Sequence, residues 1–457
     1  MDMEENSTMR DYLRWRGDLT FDQDPFNDVD NLILAQLAYV DYDGIVSEDR
    51  EEQIPISEVC KLYWEQHTEE EIRKRESFVK LSPFLLKPVA QSRRFGKTTV
   101  SGYVNFLSKR AEAQMSAVQF SLEDGTVYVS FRGTDETLIG WKEDFNLSYM
   151  SRTEGQRLAV EYMQRNFENT NLRLRVGGHS KGGNFAVYAS AFAGEAVRKQ
   201  IKSVYSNDAP GFRDEIISKP EYKQIEDRTI NIIPQDSIIG RLLSAGKDAI
   251  VVRSSKRGIM QHDALSWQVM GNRFQYTKRS GDSIYLEKVL NDWLDNIDDE
   301  ARKVFVDQIF SVLQSLGADT VKDMKDMSFK DIAEGIQQLR DLNKEQQGEL
   351  SKVLKKLFRS GRRTFYEELE QKDGFFPDVV KKMADLGVMI NEAKERAEAV
   401  KQSMQAAGEK PQKTEEPEIL VPAREKSALE EIAKQALREG IEIRGGETDD
   451  TTGEDPQ

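Results

Sequence analysis

The chain has 457 residues, of which 38% are hydrophobic and 32% are charged, so it can form a large folded core with an accessory region. Its formal net charge of −15 argues against nucleic acid as a partner, because a broadly negative surface does not attract phosphate. The single cysteine, Cys60, excludes an intrachain disulfide, and no apolar run approaches the length of a membrane span. Because the first residues also lack the basic and apolar regions of a signal peptide, we expect a cytoplasmic protein without a transmembrane segment.

The N-terminal part of the chain is predicted to be mostly helical. Residues 1–28 are acidic and are interpreted as a lead-in rather than a domain. Asn27 or Asp28 can cap a helix with a long apolar face. Residues 45–115 are charged and have helical spacing of their apolar residues, so they are predicted to be a helical insertion within a domain that spans residues 29–296.

A β-hairpin is predicted next, with one arm at residues 116–122 and the other at residues 126–132. The second arm ends in Phe131-Arg132-Gly133-Thr134, where the glycine and the threonine enter a loop. In enzymes with a serine nucleophile, a loop in this place carries one donor of the oxyanion hole. The alternative is an ordinary glycine at the junction of a strand and a loop.

A strand, a sharp turn and a helix surround Ser180. Residues 172–176 alternate as in a strand, and residues 184–193 are apolar enough for a helix that is buried on most sides. Between them, Gly178-His179-Ser180-Lys181-Gly182 matches the G-x-S-x-G pattern of a nucleophile elbow. The serine of such a turn has a strained backbone, and the residues two before and two after it must approach each other without a Cβ between them. The alternative is a glycine-rich turn without chemistry.

Further strands alternate with helices along the rest of this domain. Residues 153–169 have the spacing of an amphipathic helix. Strands are predicted at residues 201–206, 229–233 and 249–252, and the last of these is expected to close the sheet. This alternation predicts an α/β fold, with a mostly parallel sheet and helices on both faces.

The C-terminal part of the chain has a different pattern. Residues 297–405 have apolar residues at helical spacing and few β-branched runs, so they are predicted to be a helical appendage. Residues 406–457 are rich in Glu, Lys, Pro and Gly, and are predicted to be a mostly disordered, charged tail.

A serine hydroxyl needs a neighbouring base to act as a nucleophile, and the chain contains three histidines. His179 lies inside the turn and should point away from the hydroxyl, while His67 precedes the sheet. His262 follows the last predicted strand and fits the chain order Ser, Asp, His, so it is the expected base. Asp236 follows a later strand and is the favoured acid. Asp208 is the alternative acid, and its other interpretation is a residue that shapes the turn after its strand.

The tetrahedral intermediate of acyl transfer needs an oxyanion hole. One donor is expected to be the backbone N–H of Lys181, directly after the nucleophile. The other is expected to be the backbone N–H of Thr134, in the loop after the hairpin. The loss of one such donor raises the barrier by about 3 kcal/mol.

With these residues, the chain resembles the class 3 lipase type of α/β-hydrolase, and more narrowly an uncharacterised bacterial branch of lipase-like proteins. The resemblance covers about residues 20–290. It rests on Phe131-Arg132-Gly133-Thr134 followed by Trp141 and Asp144, on Gly178-His179-Ser180-Lys181-Gly182-Gly183-Asn184, on Asn207-Asp208-Ala209-Pro210-Gly211, on Asp236 with His262, and on the segment from Phe26 to Ala35. It implies an α/β-hydrolase fold and ester hydrolysis through an acyl-enzyme, with Ser180 as nucleophile, Asp236 as acid, His262 as base and Thr134 at the oxyanion hole.

Lys181 is the main departure from this family pattern, because class 3 lipases usually carry leucine after the nucleophile. A cation in this place would favour an anionic acyl substrate or a phospholipid head group. The alternative is a lysine on the surface of a branch with another task.

The sequence supports a serine ester hydrolase that acts on a lipid or another acyl ester and that needs no cofactor and no metal. A second hypothesis is a hydrolase scaffold without catalysis, which binds a protein partner through residues 297–405. A third is acyl transfer to an acceptor other than water. An intact set of serine, aspartate and histidine favours the enzyme.

Overall fold

The computed structural model describes residues 7–75, 77, 79–108, 110, 113–134, 138–237, 239–241, 243, 249–281, 283–284, 299–300, 303 and 306–307. The predicted helical appendage at residues 297–405 lies outside the described residues except for residues 299–300, 303 and 306–307. The predicted tail at residues 406–457 lies wholly outside them.

Helices and strands alternate from the middle of the described chain onward. The helices are α1 (Met9–Arg16), α2 (Asp28–Leu37), α3 (Ile56–Gln66), α4 (Glu69–Lys74), α5 (Leu86–Gln91), α6 (Leu138–Asn146), α7 (Glu154–Phe167), α8 (Lys181–Phe192), α9 (Glu195–Gln200), α10 (Asp214–Ile217) and α11 (Pro220–Glu226). The strands are β1 (Ile54–Pro55), β2 (Thr99–Ser108), β3 (Ala113–Ser121), β4 (Thr126–Phe131), β5 (Arg173–His179), β6 (Ile201–Asn207), β7 (Thr229–Pro234), β8 (Ile250–Val252), β9 (Val269–Met270) and β10 (Arg273–Phe274). Short 3-10 turns lie at Ser82–Leu85, Ile239–Arg241, Gly258–His262 and Ala264–Ser266.

Within the described residues, the main sheet has eight strands in the order of the sequence, from β1 to β8. Strands β1 to β4 pair antiparallel, and strands β4 to β8 pair parallel. A parallel pair needs a crossover between its strands, and helices α7, α8 and α11 lie in these connections. The predicted α/β fold with a mostly parallel sheet is therefore confirmed.

The sequence predicted most of these elements close to where they lie. Helix α2 is capped by the Asn27 side chain, which accepts hydrogen bonds from the N–H groups of Val29 and Asp30. Strands β3 and β4 form the predicted hairpin. The predicted order of strand β5, turn and helix α8 is also present, and β8 is the last strand of the main sheet.

The prediction that residues 45–115 form a helical insertion is wrong for part of this stretch. Helices α3 to α5 lie in it, but β1 and β2 are strands of the main sheet. Strand β2 runs along β3 from Thr99 to Ser108, and its sequence contains valine, threonine, tyrosine and phenylalanine, which favour a pleated, half-buried surface. The high charge of the surrounding helices masked this strand pattern.

Two hydrophobic clusters cover the two faces of the sheet. Successive residues of a strand point to opposite faces, and in β4 Tyr128 packs into one cluster while Val129 packs into the other. The first cluster includes buried side chains of helices α1, α2, α3 and α5, and the second includes buried side chains of helices α7, α8, α9 and α11. Among the described residues, no helix combines the length and the apolar character needed to cross a membrane.

The segment from Phe26 to Ala35 supports the elbow strand through buried polar contacts. The Asn31 amide donates to Asn207 Oδ1 at 2.9 Å, and the Asn207 amide donates to the carbonyl of Gly178 at 2.9 Å. One position earlier, Asp30 forms a fully buried ion pair with Arg94, with 2.7 Å between Oδ1 and Nε. Asn31 thereby links helix α2 to the strand that precedes Ser180, whereas the pair of Asp30 and Arg94 ties α2 to the chain before it.

Candidate active site

The parallel strands bring the predicted site residues to one edge of the sheet. The carboxyl ends of parallel strands meet at the same edge, where ligands of open α/β sheets bind. Thr134 follows β4, Ser180 follows β5, Asp208 follows β6 and Asp236 follows β7. His262 ends the 3-10 turn Gly258–His262, after β8.

Ser180 has the backbone conformation that the elbow pattern predicts. Its φ is 58° and its ψ is −137°, a region that residues with a side chain rarely adopt. A Cβ on Gly178 would lie 2.3 Å from the carbonyl carbon of Gly182, and a Cβ on Gly182 would lie 2.1 Å from the carbonyl oxygen of Phe131. The two glycines are therefore needed for the close approach of strand, turn and helix.

His262 pairs with Asp208. The Nδ1 atom of His262 lies 2.7 Å from Oδ2 of Asp208, whose side chain is buried. The other oxygen of this carboxylate accepts hydrogen bonds from the hydroxyl of Ser237 and, at 3.1 Å, from the N–H of Gly240. Asp208 also has a positive φ of 46°. These contacts fix the carboxylate so that one oxygen faces the imidazole.

Asp236, the acid favoured from the sequence, does not make this contact, and that expectation is corrected. Its Oδ2 atom accepts hydrogen bonds from the N–H of Gly258 at 3.0 Å and from the side-chain amide of Gln261 at 2.7 Å. The N–H of Asp236 donates to Oε1 of the same glutamine at 2.9 Å. Asp236 therefore holds the 3-10 turn that carries His262, while the alternative residue, Asp208, contacts its ring.

His179 is fully buried beside His262. Its Nε2 atom lies 2.8 Å from the backbone oxygen of His262, and the two ring centroids are 4.6 Å apart. Because a carbonyl oxygen only accepts, Nε2 carries the proton, and Nδ1 lies 3.1 Å from the hydroxyl of Tyr39. Burial, together with the nearby His262, holds the pKa of His179 well below its ordinary value, so the ring stays neutral. Both of its nitrogens are engaged by these groups, and it supports His262 from behind.

The loop after β4 lies directly against the elbow. A Cβ on Gly133 would lie 2.5 Å from the backbone oxygen of His179 and 3.1 Å from Cβ of Ser180. The next residue, Thr134, donates its hydroxyl proton to Oδ2 of Asp144 in α6. Burial raises the pKa of Asp144 to about 6, and the nearby Lys181 opposes this rise. The predicted oxyanion loop is thus adjacent to the predicted nucleophile.

The interpretation of Lys181 as a surface lysine is wrong. Its side chain is fully buried, and its Nζ atom lies 3.2 Å from Oε2 of Glu143, which is also fully buried. The ammonium group also donates to the carbonyl of Gly140 at 3.3 Å. Because this cation is already neutralised inside the protein, it gives no support to an anionic substrate.

Sequence reasoning missed Tyr39 and Glu143. Tyr39 lies in the turn after α2 and Glu143 lies in α6, and each meets its partner in the site only through the fold. The signal that could have found Glu143 is the lysine inside an otherwise apolar elbow helix, which needs a buried anion. Within the described ranges, no three His, Cys, Asp or Glu side chains come together in a way that could hold a metal ion.

The sheet and the elbow define an α/β-hydrolase fold. Residues 89–311 match the family model described as Mbeg1-like, and this range includes the elbow, Asp208 and His262. No curated protein matches the chain in sequence. The crystal structure of M37 lipase is similar over 46% of this chain and 68% of its own, with 14% sequence identity and a TM-score of 0.28. The fold assignment therefore rests on the strand order and the elbow, and not on this similarity.

Proposed function

We propose that the protein is a serine ester hydrolase that acts on a lipid or another acyl ester, with Ser180 as nucleophile, His262 as base and Asp208 as acid. The observation that carries this proposal is the 2.7 Å contact between His262 Nδ1 and Asp208 Oδ2, at the sheet edge where Ser180 forms the elbow. A carboxylate at Nδ1 keeps the proton on that nitrogen and leaves Nε2 free of a proton, which is the tautomer that a general base needs.

In the proposed reaction, Ser180 Oγ forms a bond to the carbonyl carbon of the ester while its proton passes to Nε2 of His262. The carbonyl π electrons move to the oxygen, and the backbone N–H groups of Lys181 and Thr134 donate hydrogen bonds to this oxyanion. The intermediate collapses, the ester C–O bond breaks, and the leaving alcohol takes the proton from His262. Water then attacks the acyl-enzyme by the same route and releases the acid.

The first residues of a helix have N–H groups without partners inside the helix, and Lys181 is the first residue of α8. Its N–H is therefore suited to bind the developing negative charge. This supports Lys181 as an oxyanion donor through its backbone, separately from its buried side chain.

A fluorophosphonate probe tests the nucleophile. We expect the wild type to be labelled and Ser180→Ala to be unlabelled, while Ser190→Ala, a change of a buried serine within the same helix α8, is labelled like the wild type. A folded wild type without labelling, or labelling that persists in Ser180→Ala, would refute the proposal.

A series of p-nitrophenyl esters with different acyl chain lengths tests the reaction and its preference. We expect hydrolysis by the wild type and its loss in Ser180→Ala and His262→Ala. Equal rates in all three proteins would show that hydrolysis does not depend on these residues. The binding of a protein partner through residues 297–405 stays a separate prediction.

A further inference from the structure

We propose that Lys181 and Glu143 form a positioning pair that sets the geometry of both oxyanion donors. This inference rests on the proposed function, because it concerns the same site. Lys181 is adjacent to the nucleophile in sequence, but its ammonium group is directed into the protein, toward helix α6.

Glu143 joins four elements of the fold at one point. Its Oε2 atom accepts from the ammonium of Lys181 at 3.2 Å and from the N–H of Gln114 in β3 at 2.9 Å. Its Oε1 atom accepts from the N–H of Gly155 in the first turn of α7 at 2.7 Å. The carboxylate therefore connects α6, which carries it, with the start of α8, the start of α7 and β3.

The space around this carboxylate is closely filled. A Cβ on Gly155 would lie 2.3 Å from Oε1 of Glu143, so only glycine allows the N–H to approach this oxygen. Both charged side chains of the pair have no solvent exposure. A buried carboxylate with two backbone donors and one cation has a single favourable position, and it fixes helix α6 there.

Helix α6 in turn holds the oxyanion loop. Asp144 directly follows Glu143 and accepts the hydroxyl proton of Thr134. The place of Thr134 therefore depends on the place of α6, which the ion pair with Lys181 fixes. Lys181 contributes its N–H to the oxyanion hole and, through its side chain and Glu143, orients the loop that carries the other donor.

This arrangement predicts a specific kinetic effect. A misplacement of a catalytic group by about 1 Å can cost about a hundredfold in rate. In Lys181→Met we expect kcat for p-nitrophenyl esters to fall by about 10- to 100-fold, with KM changed by less than about threefold, because the oxyanion donors act mainly in the transition state. The variant Lys181→Gln keeps a hydrogen-bond donor for Glu143, so we expect its kcat to fall by only about three- to tenfold.

A second buried ion pair provides the matched control. Arg94 and Asp30 are as fully buried as Lys181 and Glu143, and they lie outside the candidate site. Arg94→Met should lower the midpoint of thermal unfolding while the kcat of the folded protein stays within about threefold of the wild type. All variants are compared below their unfolding midpoints, with active sites counted by the fluorophosphonate probe.

The inference is overturned if folded Lys181→Met keeps kcat within about threefold of the wild type, or if Arg94→Met loses as much kcat as Lys181→Met. If Lys181→Met does not fold, Lys181→Gln decides, and an unchanged kcat in that variant overturns the inference. A wild type that neither hydrolyses esters nor reacts with the probe refutes the proposed function as well. An active wild type with an equally active Lys181→Met refutes only the positioning pair.

Discussion

The choice between Asp208 and Asp236 as the acid can be tested by two matched substitutions. In Asp208→Asn, the amide oxygen can keep the contacts with Ser237 and Gly240, so its NH2 group then faces Nδ1 of His262. Nδ1 must then accept a hydrogen bond, which moves the ring proton to Nε2. In that tautomer the histidine cannot take the proton of Ser180, so the expected result is a large loss of kcat in a folded protein.

The size of the expected loss of kcat in Asp208→Asn follows from the role of the carboxylate in setting the tautomer of His262. A catalytic histidine held in the wrong tautomer loses about 10⁴-fold in kcat, which corresponds to about 5 kcal/mol of activation free energy. Asp236→Asn affects only the contacts with Gly258 and Gln261 that hold the turn. Hydrogen bonds to a charged group are each worth about 1.5–3 kcal/mol. We therefore expect Asp236→Asn to lower the free energy of unfolding by about 2 kcal/mol and kcat by about tenfold at most.

The assay is the hydrolysis of a short p-nitrophenyl ester, measured with thermal unfolding of each variant. Single-turnover acylation separates the chemical step from product release. A loss of about 10⁴-fold in Asp236→Asn, with Asp208→Asn within about tenfold of the wild type, would refute the assignment and restore the acid favoured by the sequence.

Three further predictions concern residues around the site. His179→Phe should lower the free energy of unfolding by about 1–3 kcal/mol, because the partly buried backbone oxygen of His262 loses its donor; the acid limb of the pH–rate profile should not move, since His179 is already neutral. Burial raises the pKa of Asp144 from 3.8 to about 6, so the folded wild type loses stability as this carboxyl group ionises. Asp144→Asn has no such group, and it should therefore gain up to about 3 kcal/mol of stability relative to the wild type as the pH rises from about 4 to 7. Gly155→Ala should cost about 1–3 kcal/mol in the free energy of unfolding, because its Cβ would meet Glu143.

Each of these predictions has a result that contradicts it. Urea unfolding measures all three stability changes, at one pH for His179→Phe and Gly155→Ala and at a series of pH values for Asp144→Asn. A shifted acid limb in His179→Phe would mean that His179 titrates in the active range. A stability difference between Asp144→Asn and the wild type that does not change with pH would show that Asp144 has an ordinary pKa. Unchanged stability in Gly155→Ala would show that Glu143 can move without cost.

The sequence predicts the elbow well because its determinants are local. The alternation before Ser180, the glycines around it and the apolar run after it all lie within residues 172–193, and each has one structural explanation. The hairpin of β3 and β4 and the capped helix α2 are equally local. Strand β2 was missed because its pairing with β3 decides its conformation, while its charged surroundings indicate helix.

The acid is not a local property. Asp208 and Asp236 follow neighbouring parallel strands, so both arrive at the same edge of the sheet, and chain order alone does not separate them. What separates them is the path of the segment that carries His262. This segment begins beside Asp236, which binds its N–H at Gly258, and then returns over the end of β6, where Asp208 lies. Asp236 accepts hydrogen bonds from both Gly258 and Gln261, so its carboxylate is engaged by the turn, while the ring of His262 contacts Asp208.

Packing alone explains the glycines of the elbow. These glycines therefore support catalysis less strongly than the pair of His262 and Asp208 does. Gly178 and Gly182 are required because strand β5, the turn and helix α8 contact each other and the end of β4 at distances that exclude a Cβ. Any protein that keeps this fold needs them, with or without an active serine. The pair of His262 and Asp208 is different, since the oriented contact between an imidazole and a fully hydrogen-bonded carboxylate is not needed to pack the sheet. The proposal of catalysis therefore depends on this pair, and the variant Asp208→Asn tests it more directly than any change of the glycines.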